Sequence, residues 1–140
     1  MLVQKKLADP YRRYRENQVF MSSPIELVVM LFDGALRFVR RAAAAFERQQ
    51  YDEARLYLDR TQQIIIELSA ALDFNRGELS RNLYSLYQYL HFQLLKIDIG
   101  RDGEQLGEIE RILLSLKESW AAAGRLPGSI AAENSREGDR

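Results

Sequence analysis

The stretch Leu79–Ile99, LSRNLYSLYQYLHFQLLKIDI, decides the reading of this chain. It has no glycine or proline, and its apolar residues recur at helical spacing. With a step of ~100° per residue, Leu79, Leu83, Leu86, Leu90, Leu94 and Ile97 share an arc of roughly 80°. That stripe is an ordinary core face. Tyr84, Phe92, Leu95 and Ile99 form a second cluster about 160° away from it. Arg81, Ser85, Gln88, Gln93, Lys96 and Asp98 are polar residues of the same helix. A helix apolar all round belongs deep inside a large protein or in a membrane. This chain is too small to wrap a helix completely, and the polar residues exclude a membrane span. The second face is therefore expected to meet another chain or a movable part of this one.

Working outward on the N-terminal side, Ser23-Pro24-Ile25-Glu26 reads as a capping box with proline at the first helical position. A long helix is expected from there to about Arg48. Val28, Leu31, Phe32, Ala35, Phe38, Val39, Ala42 and Phe46 make its core stripe, with Asp33, Arg37, Arg40, Arg41 and Arg48 opposite. Gly34 sits mid-helix, either for close approach of a neighbouring backbone or as a tolerated defect. Asp52 is the expected cap of a second helix reaching about Asp73, with Tyr57, Leu58, Thr61, Ile64, Ile65, Leu68 and Leu72 as its core stripe. Leu56 and Ile66 lie off that stripe. The loop Phe74-Asn75-Arg76-Gly77 holds two residue types that stop a helix in a left-handed conformation.

On the C-terminal side Gly100 ends the third helix, and Asp102 with Gln105 is a candidate capping pair for the fourth. Leu106, Ile109, Leu113, Leu116 and Trp120 follow as a narrow bundle seam. Four helices joined by short loops imply an all-α, antiparallel four-helix bundle over residues 23–122. Residues 1–22 read as a short N-terminal amphipathic arm, with Asp9-Pro10 as a helix start and Tyr11, Tyr14 and Val19 in need of a surface. Residues 123–140 are polar and unperiodic and read as a disordered tail.

Two strings in this order resemble a known family. Asn17-Gln18-Val19 followed by Ser22-Ser-Pro-Ile-Glu-Leu-Val-Val-Met-Leu-Phe-Asp-Gly-Ala35 is similar to the opening of the flagellin-specific export chaperones, the FliS family. Phe32 stands where that family usually has tyrosine. Asn82-Leu83-Tyr84-Ser85-Leu86-Tyr87-Gln88-Tyr89 resembles the family's third helix, and Trp120 its last. Ile97-Asp98 departs from the alanine-asparagine common near the end of the third helix. The resemblance runs from about Tyr14 to Trp120. It implies a chaperone that binds the C-terminal segment of flagellin, prevents premature filament assembly and keeps its client export-competent. The flagellar export apparatus is a further partner it implies. It also implies that the N-terminal arm, through Tyr11, Tyr14 and Val19, covers part of the client groove when no client is present. The expected client-binding residues are Tyr84, Tyr87, Phe92, Leu95 and Ile99 on the third helix, with Leu56 and Ile66 on the second. The rival reading is a structural bundle that homodimerises through the second face of the third helix.

Other chemistry is poorly supplied. His91 is the one histidine and there is no cysteine. No Glu-x-x-His motif, glycine-rich phosphate loop or convincing strand is present, so neither enzyme activity nor a metal or other cofactor is expected. His91 reads as a surface or boundary residue. Twenty basic and twenty acidic residues cancel, which disfavours nucleic acid as a partner. No apolar run is long enough to span a membrane and the first 30 residues lack a signal peptide, so no membrane insertion and a cytoplasmic location are expected.

Overall fold

A computed structural model describes residues 24–73, 75 and 77–125. The expected arm with Tyr11, Tyr14 and Val19, the expected cap Ser23, Phe74, Arg76 and the residues beyond Arg125 lie outside the described residues. The fold is all-helical: α1 Pro24–Glu47, α2 Tyr51–Ala70, α3 Glu78–Gly100, a 3₁₀ turn Gly103–Gln105, and α4 Leu106–Arg125. The four helices form the bundle read from the sequence. α4 continues three residues past the expected end of the bundle at 122.

The chain divides into two compact units. In the larger, Leu31–Leu116, all four helices contribute, and neighbours in sequence run antiparallel. Phe46 packs on Tyr51 at the α1–α2 turn (ring centroids 6.1 Å), and Phe38 on Tyr57 two turns away (6.2 Å). Arg55 near the start of α2 reaches Asp98 near the end of α3 (3.3 Å), and mid-helix Gln62 meets His91. Tyr89 of α3 donates to Glu108 of α4 (2.9 Å), and Arg40 of α1 pairs with Glu110 of α4 (2.9 Å). Exposed pairs such as Arg40–Glu110 contribute ~1 kcal/mol at most. Stability comes from the interior, where Phe32, Val39, Leu58, Ile64, Leu90, Leu94, Leu106, Ile109 and Leu113 are buried. The smaller unit contains the described ends 24–30 and 117–125. There a Cβ on Gly124 would lie 2.8 Å from Ile25 Cγ2, so α4 approaches α1 where glycine leaves room.

Several local readings need correction. Asp52 does not cap α2. Gln49 takes a left-handed φ of 59°, its amide bonds to Phe46 O (2.9 Å) and that of Gln50 to Ala45 O (2.8 Å). This tight reversal restarts the helix at Tyr51, and Asp52 falls in the first turn, where its charge still favours the helix N-terminus. α2 stops at Ala70 rather than near Asp73. The left-handed Gly77 (φ 86°) introduces α3 instead of terminating α2. Asp102 does cap, but its carboxylate accepts from the Glu104 amide (3.0 Å) of the 3₁₀ turn that precedes α4. Gly34 is crowded by a side chain and not by a backbone: a Cβ there would sit 3.3 Å from Ile64 Cδ1. Leu79, expected in the core, is 58% exposed.

Candidate functional site

The second face of α3 is left open to solvent within the larger unit. Phe92 is 58% exposed, Ile99 81%, Tyr84 40% and Leu95 39%. The first face of the same helix is closed, with Leu90, Leu94 and Ile97 buried. The helix thus puts two apolar surfaces in two different environments. Isolated exposed leucines are commonplace, but four large apolar side chains within four turns of one helix face make a contiguous patch.

α2 borders this face. Gln62 touches His91, and Ile66, one turn further on, falls on the same side of α2 and is exposed. Leu56 is also exposed, but it lies about 80° round the helix from Ile66, so the two do not share one narrow stripe. At the Ile99 end the surface opens into a cleft of about 280 Å³ lined by Phe46, Tyr51, Asp52, Arg55, Asp98, Ile99 and Arg101. Arg101, left-handed at φ 52°, places its guanidinium 5.3 Å from the Tyr51 ring centroid.

Tyr87 does not belong to the surface. It is 1% exposed and packs against Phe32 (centroids 6.5 Å, 49° between planes). Burial pushes its phenol up to about 12. The folded state therefore resists ionising a group that ionises near 10 in the unfolded chain. This stability is fully present below pH 10 and is lost as pH rises through 12. Tyr87→Phe removes the titration. Denaturant melts should show wild type losing about 1.4 kcal/mol more than the variant between neutral pH and pH 11. Equal losses in the two proteins would mean the phenol ionises freely in the fold.

Gln62, which sequence reasoning passed over, and His91, read there as a surface or boundary residue, adjoin this face. Gln62 and His91 join α2 to α3 at two points: Gln62 Nε2 donates to the His91 carbonyl (3.1 Å), and Gln62 Oε1 lies 2.7 Å from His91 Nδ1. The available signal was positional. His91 follows Tyr84 by two turns and precedes Leu95 by one, which puts it in their row. Among the described residues no group of His, Cys, Asp and Glu is arranged to hold a metal, and no helix is long and apolar enough to cross a membrane. The surface offers apolar area and hydrogen-bonding groups.

Comparison with known proteins identifies the family. The family described as flagellar protein FliS matches residues 7–126. The flagellar secretion chaperone FliS of Bacillus subtilis is 33% identical over 117 residues, covering 84% of this chain and 87% of the relative. FliSB of Pseudomonas aeruginosa, also a flagellar secretion chaperone, is 35% identical over 106 residues, covering 75% and 84%. The FliS chaperone of Salmonella typhimurium is 34% identical over 107 residues, covering 75% and 79%. Sequence, fold and an open apolar face on a helical bundle thus agree: the chain belongs to the FliS family of flagellar secretion chaperones.

Proposed function

We propose that the exposed face of α3 binds the C-terminal segment of flagellin in the cytoplasm, prevents its premature assembly into filament and keeps it competent for export. The observation that carries this reading is the solvent-open row of Tyr84, Phe92, Leu95 and Ile99 on a helix whose other face is core. An amphipathic client helix lying along this row, with Ile66 at its border, would bury its own apolar side chains as it covers these. A segment that pairs with its own kind in a filament needs that sticky surface covered until export. The N-terminal arm, with Tyr11, Tyr14 and Val19, would occupy part of the same face before the client arrives, and the flagellar export apparatus would receive the loaded chaperone.

Light scattering of the purified chain, alone and with a flagellin C-terminal peptide, tests this. A one-to-one complex with the peptide is expected. A stable dimer that ignores the peptide would instead establish a structural bundle closed through the second face of α3. A monomer that ignores it would overturn both readings.

A further inference from the structure

We infer that His91 sets the register of the bound client by presenting a fixed hydrogen-bond acceptor in a mainly apolar row, and that the client meets it with a donor side chain. This rests on the docking reading above. Tyr84, Gln88, His91 and Leu95 follow one another along one side of α3, flanked by Phe92 and Ile99. His91 is half-buried, and its ring meets that of Phe92 edge-on with centroids 6.0 Å apart.

The protonation of the ring follows from its partner. The His91 backbone carbonyl can only accept, so the Gln62 atom 3.1 Å from it is the amide nitrogen. The Gln62 oxygen then faces His91 Nδ1 at 2.7 Å, and this nitrogen must carry the hydrogen. In the neutral ring Nε2 is left with a lone pair, and it bonds to no described residue. Gln62 thus fixes both the orientation of the imidazole and its tautomer, as hydrogen-bonded neighbours do for histidines elsewhere. Gln88, in the same row, makes no side-chain hydrogen bond to a described residue, so either end of its amide can turn to a partner.

A client side chain packed over Nε2 strips water from it. An apolar side chain there leaves the acceptor unsatisfied, whereas a hydroxyl, amide or guanidinium hydrogen satisfies it. The site therefore favours the one register that brings a donor opposite His91. A single buried polar position fixes the register of a coiled coil by the same logic.

The chain has one histidine, so a ¹⁵N-histidine spectrum reports this ring alone. Recorded well above neutral pH without client, it should show the hydrogen on Nδ1, the tautomer that free histidine disfavours. Adding a flagellin C-terminal fragment should shift the Nε2 resonance upfield, as acceptance of a hydrogen bond does, with Nδ1 still protonated. In parallel, each donor residue of the fragment is replaced in turn by an apolar side chain of similar size. One replacement should weaken binding to wild type about tenfold and to His91→Phe less than twofold. An unmoved Nε2, or no replacement that distinguishes the two proteins, would overturn the role of His91. If Phe92→Asp still abolishes binding in that case, the docking face itself stands. If Phe92→Asp binds normally, the docking reading has failed and this inference with it. The spectrum needs no substitution, so the test survives a His91→Phe variant that folds poorly.

Discussion

Leu90→Asp is expected to unfold the domain. Leu90 is completely buried at the centre of α3's inner face, near the level where Phe32 of α1 meets Tyr87. Two effects add. Removing a packed leucine from a rigid interior leaves its neighbours without contacts, which alone costs about 2–5 kcal/mol. The carboxylate then sits in apolar surroundings with no cation provided for it, so it must either stay ionised without a partner or take up a proton at a cost. Domains of this size have about 5–15 kcal/mol of stability in total. The helical circular dichroism signal should therefore be lost at room temperature, or the melting temperature should fall by roughly 20 °C or more. A variant that melts within a few degrees of wild type would mean that α3 is not buried on this side.

The inner face of α3 was legible because periodicity, burial and helix length agree there. The same holds for the stripes of α1, α2 and α4, whose central residues Val39, Leu58, Ile64, Ile109 and Leu113 are all buried. The misreadings share a cause: a helical wheel gives direction round the axis and nothing about what lies at that height. Leu79 points the same way as Leu90, yet it is the second residue of α3. The pairing of Arg55 with Asp98 and of Gln62 with His91 carries Leu79 past Ala70, the last residue of α2, and it stays exposed. Tyr87 lies about 60° from Leu90 on one side and from Tyr84 on the other, so angle alone leaves it on the boundary. Its ring is drawn inward by Phe32, a contact between residues far apart in sequence. Leu36 and Ala45 were left out of the α1 stripe, but the bundle buries a wider arc of that helix than a two-helix seam needs.

The candidate site was legible as a surplus: α3 carries more apolar residues than one core face uses. What the sequence could not convey was its polar detail. Nothing in the spacing of Gln62 and His91 says that they meet, because that pairing depends on the register of α2 against α3. This register is set by core packing along both helices and by the short loops that join them.

Phe92→Asp separates the two faces most sharply, because the same chemical change that destroys the domain at Leu90 should leave it intact here. Phe92 is 58% exposed, and an aspartate at that position remains hydrated. Surface substitutions away from caps and core are usually neutral to within about 0.5 kcal/mol, so circular dichroism and the melting temperature should stay close to wild type. Binding is another matter. A client helix on this face would cover Phe92 together with Leu95 and Ile99, and a large aromatic at the centre of an apolar contact is the kind of residue that carries disproportionate affinity. Exchanging it for a carboxylate removes apolar contact and places a charge where the client's apolar side chains would lie. Titration of a flagellin C-terminal fragment should show affinity reduced more than tenfold, or about 1.4 kcal/mol. If the variant unfolds like Leu90→Asp, the second face is core and no groove exists there. If it folds and binds as wild type does, the client lies elsewhere on the bundle, and the exposed Leu56 and Ile66 of α2 are where its contacts should next be sought.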